Sequence, residues 1–122
     1  MNNTTSFSIA GLSALVTVFA LYFVGVLVGA DFQIPATGEP IPPVAFAALT
    51  ILSGFGSFFV AKWLKKTASP SRNVWIAVIV VFAFFLIPLP AVADPVAATL
   101  LLAMHFAVAI PFTLAMQRLV RS

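Results

Sequence analysis

The chain has no cysteine, which removes disulfides, thiol nucleophiles and thiolate metal sites at once. Three acidic residues, six basic residues and one histidine among 122 positions leave little material for acid–base chemistry or for gathering a metal ion. Asparagine stands only at positions 2, 3 and 73. Charged residues make up 7% of the chain, against about 25% in a soluble domain. Apolar residues take their place: 62% of the chain is hydrophobic and the mean hydropathy is +1.16, more apolar surface than a soluble core of this size can hide. A net charge of +3 and a pI near 10 would point a soluble protein towards nucleic acid. On so apolar a chain the basic residues read as topological markers, and no nucleic-acid partner is expected.

Four apolar segments approach the length of about 20 residues that a hydrocarbon core about 30 Å thick demands. They run from about 8 to 30, 44 to 64, 74 to 89 and 96 to 116. Backbone polar groups in lipid must be satisfied internally, so helices or closed barrels are the choices, and continuous rather than alternating apolar runs favour helices. The expected fold class is all-α, a single antiparallel bundle of four transmembrane helices spanning residues 1–122. The breaks agree. "DFQIPATGEPIPP" from Asp31 to Pro43 is a proline-rich loop, and "KKTASPSRN" from Lys65 to Asn73 is a basic turn. Pro88 and Pro90 end the third helix, and Asp94 followed by Pro95 forms an N-cap and first helical residue for the fourth. The N-terminal "MNNTTSFS" lacks the basic stretch that opens a cleavable signal peptide.

Charge sets an orientation. Lys62, Lys65, Lys66 and Arg72 flank the second break, and Arg118 and Arg121 follow the last segment. With four crossings all six lie on one face, while Asp31, Glu39 and Asp94 lie on the other. The positive-inside rule then places the chain in the cell (inner) membrane as a multi-pass protein with both termini cytoplasmic. Trp63 and Trp75 bracket the cytoplasmic turn, where an aromatic belt is expected. The same six cations could bind anionic lipid headgroups, the lesser of the two readings.

Small residues recur four apart at Gly25 and Gly29, at Ser53, Ser57 and Ala61, and at Ala103, Ala107, Pro111 and Ala115. Such stripes let helices approach closely in lipid. Packing within one bundle is the first reading, and an interface in a homo-oligomer the second.

His105 is the one ionisable group expected in mid-membrane. Counting from Val96 at about 1.5 Å per residue sets it roughly 14 Å below the outer end of its helix. Asp94, eleven residues earlier, lies about 16 Å away along the axis and cannot touch it. Met104 points about 100° away on the same helix, so one helix cannot supply two axial ligands to a metal or haem, and no cofactor is expected. A neutral imidazole has one donor and one acceptor to satisfy. Thr17 of the first segment and Ser53 of the second lie at matching depth, so a cross-helix bond from His105 to Ser53 or Thr17 is the structural expectation. Intramembrane ionisable residues are often functional, which keeps a proton-coupled role for His105 as the alternative.

"PPVAFAALT" opening the second segment and "DPVAATLLLAMHFAVAIP" from Asp94 to Pro111, set in a four-span layout with a basic C-terminus, resemble a family of small, uncharacterised four-helix membrane proteins of actinobacteria-type bacteria, a domain of unknown function. The resemblance implies an integral membrane protein and no substrate, cofactor or catalytic residue. Small four-helix drug exporters carry a glutamate within their first helix and small fluoride channels carry asparagines within helices; this chain has neither. The expectation is a non-enzymatic membrane module or accessory subunit, with the lipid bilayer, a membrane protein partner or a second copy as its company. A small oligomeric transporter or proton-linked channel using His105 is the alternative.

Overall fold

A computed structural model describes residues 2–33, 37–87, 92 and 94–122. Four helices follow one another: α1 (Asn3–Leu27), α2 (Pro43–Leu64), α3 (Pro70–Leu86) and α4 (Pro95–Val120), with no strand among the described residues. α1, α2 and α4 are long and apolar enough to cross a membrane; α3, at 17 residues, is a shorter apolar helix of about 26 Å. The expected breaks at Pro88 and Pro90 lie outside the described residues.

Each boundary has a local cause. α1 starts five residues before the expected position because Asn2 caps it, its Oδ1 accepting from the Thr5 amide at 2.8 Å. At the other end Gly29 adopts φ +79°, the Ala30 amide donates to Gly25 O at 2.8 Å and the Gly29 amide donates to Val26 O at 3.2 Å. That is a left-handed glycine stop of the Schellman type. Gly29 therefore ends α1 rather than packing it, and open space surrounds the position of its absent Cβ. α3 starts at Pro70, a proline at the first helical turn, inside the stretch expected to be a turn. α4 runs past Met116 to Val120, because Gln117 and Arg118 are good helix formers and Gln117 is buried.

The helices pack antiparallel in chain order. α1 lies chiefly against α4, α2 closes against both, and α3 lies against α4 and the edge of α2 with no close backbone approach to α1. One seam runs the length of α1, where Ser6, Ala10, Ala14, Val18 and Gly25 are the buried residues. The opposing face of α4 presents Ala97, Met104, Phe112, Ala115, Met116 and Leu119. Three apolar clusters follow one another through the bundle. Val18, Phe32, Phe46, Ala97 and Met104 fill the acidic end, Ala10, Ala14, Phe112 and Ala115 the middle, and Ala61, Leu64, Val74, Met116, Leu119 and Val120 the basic end. Small side chains along this face of α1 let the two helices approach closely.

The loop from α1 to α2 folds back over the acidic end. The Ile41 amide donates to Phe32 O at 2.9 Å and Gln33 pairs with Pro40 in an isolated antiparallel bridge. Phe32 is thereby returned to the bundle, stacked on Tyr22 at 5.5 Å and set edge-on to Phe46 at 5.9 Å.

Candidate functional site

The residues singled out from the sequence occupy three separate places. His105 lies on the side of α4 that faces α3. Its ring stands edge-on to Phe82 with centroids 6.2 Å apart, and its Nδ1 is 2.6 Å from the Leu101 carbonyl oxygen one turn back. A carbonyl can only accept, so Nδ1–H donates. The expected cross-helix bond is thus replaced by one inside the helix. Thr17 donates to Ser13 O at 2.8 Å and Ser53 to Leu49 O at 2.7 Å, and both residues are exposed on the outer faces of their helices. Matching depth placed the three together, but rotation about the helix axes separates them. Thr50 and Thr99 repeat the pattern, donating to Phe46 O at 2.7 Å and Pro95 O at 2.8 Å.

Asp94 clips two elements together at the acidic end. Oδ1 accepts from the Val96 amide at 3.0 Å, the capping bond of α4, and Oδ2 accepts from the Asp31 amide at 2.7 Å, just beyond the end of α1. The Asp31 amide foremost, then those of Val96 and Ala97, hold the Asp94 carboxyl below its ordinary value against a smaller opposing effect of burial. A depressed folded-state pKa contributes stability that is present above the ordinary carboxylate value, about 3.9, and is lost as pH falls through the folded value. Thermal unfolding in mild detergent should therefore be insensitive to Asp94 between pH 7 and pH 5, with the Asp94-dependent part declining below about pH 4. Asp94→Asn keeps one carbonyl oxygen for two amides, so it should be less stable than the parent at pH 7, more stable than Asp94→Ala, and free of that acid-dependent part. Equivalence of the asparagine variant and the parent at every pH would remove the second bond from the account.

The basic end holds a polar constellation that the sequence reading missed. Gln117 is 5% exposed, and its side-chain amide grips Ser71 at the start of α3: Ser71 Oγ donates to Oε1 at 2.6 Å and Nε2 donates to Ser71 O at 2.9 Å. Arg121 reaches the same hydroxyl from one turn further on, Nη2 to Ser71 Oγ at 3.4 Å. Asn73 donates to Thr67 Oγ1 at 2.8 Å and Lys65 donates to Ser122 Oγ at 3.2 Å, tying the turn to both neighbouring helices. Gln117 was legible only as the end of a hydrophobic run. Its spacing of one turn from the buried Thr113 was the available signal. The hydroxyl of Ser6 on α1 is buried without a hydrogen-bond partner among the described residues.

All six cations belong to this end. Lys62 lies in the last turn of α2, Lys65 and Lys66 follow it, Arg72 opens α3, and Arg118 and Arg121 close α4. Asp31, Glu39 and Asp94 belong to the opposite end, at the loop from α1 to α2 and the start of α4. Among the described residues no three of His, Asp and Glu stand close enough to hold a metal ion.

Compared with known families, residues 3–122 match the family of unknown function DUF6069. The chain belongs to that family. No curated protein and no solved structure matches it. For this DUF6069 member the apolar helices are compatible with insertion in a membrane.

Proposed function

We propose that this chain is a multi-pass protein of the cell (inner) membrane with both termini cytoplasmic, serving as a non-enzymatic module that packs with lipid and a membrane partner rather than turning over a substrate. The observation that carries the reading is the destination of its polar groups within the helices. Thr17, Thr50, Ser53, Thr99 and His105 each bond to a carbonyl four residues back in the same helix. A route for ions or polar solutes needs such groups turned towards one another at successive depths, and the seam of α1 and α4 is closed by alanine, valine, methionine and phenylalanine.

Charge separation supports the orientation, since six cations at one end and three carboxylates at the other obey the positive-inside bias. The chain also travels the length of the bundle between Ser71, held by the last turns of α4, and Asp94 at the first turn of α4, which supports a crossing for α3 despite its shorter helix. The absence of native cysteine makes the test direct. Thr37→Cys and Ala68→Cys lie in exposed positions at opposite ends. In intact cells an impermeant maleimide should label position 37 and spare position 68. The reverse pattern would invert the orientation, and equal labelling would mean dual insertion. A proton leak through the reconstituted protein that His105→Gln abolishes would replace the passive reading by the transporter alternative.

A further inference from the structure

Between α1 and α2, on the half of the bundle nearer the cations, the surface opens into a groove of about 340 Å³. Phe7 and Gly11 of α1 form one wall, Gly54, Phe55 and Phe58 of α2 the other, and Phe112 of α4 the floor. Two glycines shape it. A Cβ on Gly11 would meet nothing within 4 Å, so the wall of α1 is recessed there, whereas a Cβ on Gly54 would stand 3.0 Å from the Phe112 ring. Two of the hydroxyls that reach the groove are already committed, Ser8 donating to Thr4 O at 2.8 Å and Thr50 to Phe46 O at 2.7 Å, and the third, that of Thr4, stands at its basic end. Along its length the groove therefore offers apolar contact alone.

Its basic end differs. Lys62 lies one turn beyond Phe58 on the same face of α2, its ammonium 5.4 Å from the centre of the Phe58 ring. The first turn of α1 reaches the same end at Thr4, where the helix dipole is positive. The three carboxylates are at the far end of the bundle, so the positive charge at the mouth has no acidic side chain nearby. An apolar slot with a cation beside the end of its wall complements an amphiphile with an anionic head. A volume near the lower bound of small-ligand sites, about 300 Å³, suits a flexible chain.

We infer that this groove holds an acyl chain of one anionic phospholipid, with its phosphate at Lys62 beside the first turn of α1. The inference rests on the membrane placement proposed above. The test is native mass spectrometry of the full chain released from mild detergent, with phosphatidylglycerol or phosphatidylcholine of identical acyl chains added at equal concentration. One phosphatidylglycerol should be retained per chain, preferred over phosphatidylcholine by about fivefold, the worth of one lysine near an anionic surface. Lys62→Gln should abolish the preference and leave phosphatidylcholine binding unchanged. Lys66→Gln, which alters the same net charge beyond the end of α2 and further from Phe58, should keep the preference. Gly11→Leu, whose Cβ enters open space, should lower retention of both lipids. Equal losses from the two lysine substitutions would show a diffuse field and overturn the headgroup site, and that comparison needs no substitution inside the groove. Undiminished retention in a Gly11→Leu protein of unchanged helical content would overturn the acyl site. Flotation with phosphatidylcholine vesicles reads the membrane placement separately, since a protein that stays in the aqueous fraction fails there whatever its lipid preference.

Discussion

Gly25→Ala should destabilise the protein by about 1–3 kcal/mol, the usual cost of one extra methyl group in a filled core. The added Cβ would lie 2.6 Å from two ring carbons of Phe32 and 3.0 Å from a methyl group of Leu100. The Leu100 methyl group ends a flexible, half-buried side chain, but the Phe32 ring is buried and confined. The Phe32 ring is stacked on Tyr22 and set against Phe46, and the loop that carries it is pinned by the bond from Ile41. Leu100 packs in the same cluster on α4. Gly25→Leu should expel the Phe32 ring altogether, approaching the roughly 3–5 kcal/mol lost when a buried phenylalanine is removed. Gly11→Ala is the matched control, because its Cβ enters open space and alanine favours the helix by up to about 1 kcal/mol. Thermal unfolding of the three variants in one detergent checks the order: Gly11→Ala at or above the parent, Gly25→Ala below it, Gly25→Leu lowest. Similar values for the two alanine variants would mean that the acidic end is loosely packed and would remove Gly25 as its keystone.

Gln117→Leu should cost about 1–3 kcal/mol although it places an apolar side chain of similar size in a buried position. The loss arises from the partners left behind. Ser71 loses an acceptor for its hydroxyl and a donor to its carbonyl, both supplied by one side-chain amide. Because the backbone of α3 makes no close approach to α1, its attachment depends on α4 through this pair, on the buried Val74 and on the contact of Phe82 with Phe106 at 4.8 Å. The effect should therefore concentrate in α3, seen as faster amide exchange from Ser71 to Trp75 with α1 unchanged. Ser71→Ala removes only the hydroxyl, so the double variant should lose less than the sum of the two single losses. Additive losses would show that the two side chains act independently.

The sequence by itself determined the class of element and its order along the chain. Each apolar run is long and uninterrupted, and the residues that start the second and fourth helices, Pro43 and Asp94 with Pro95, act on the backbone within a turn of where they stand. Segregation of charge was legible for the same reason, since alternating helix direction converts positions along the chain into two ends. Boundaries failed where polar residues were mistaken for the end of a helix. Asn3 to Ser6 lie within α1, and Gln117 and Arg118 lie within α4.

Tertiary structure alone decided which face of each helix is inside. An amphipathic helix labels its buried side by polarity, but these helices are apolar all round, and only differences in side-chain size distinguish one face from another. Several small stripes competed. Ser6, Ala10 and Ala14 of α1 form the central seam, whereas Ser53 of α2 is exposed and Gly29 is a stop signal. The same ambiguity governed His105. Its depth followed from counting residues, but its neighbour depended on the rotation of α4, which turns Met104 into the seam with α1 and leaves the imidazole against Phe82. Pairing Gln117 with Ser71 across 46 residues is likewise a product of helix rotation and register, which no local pattern encodes.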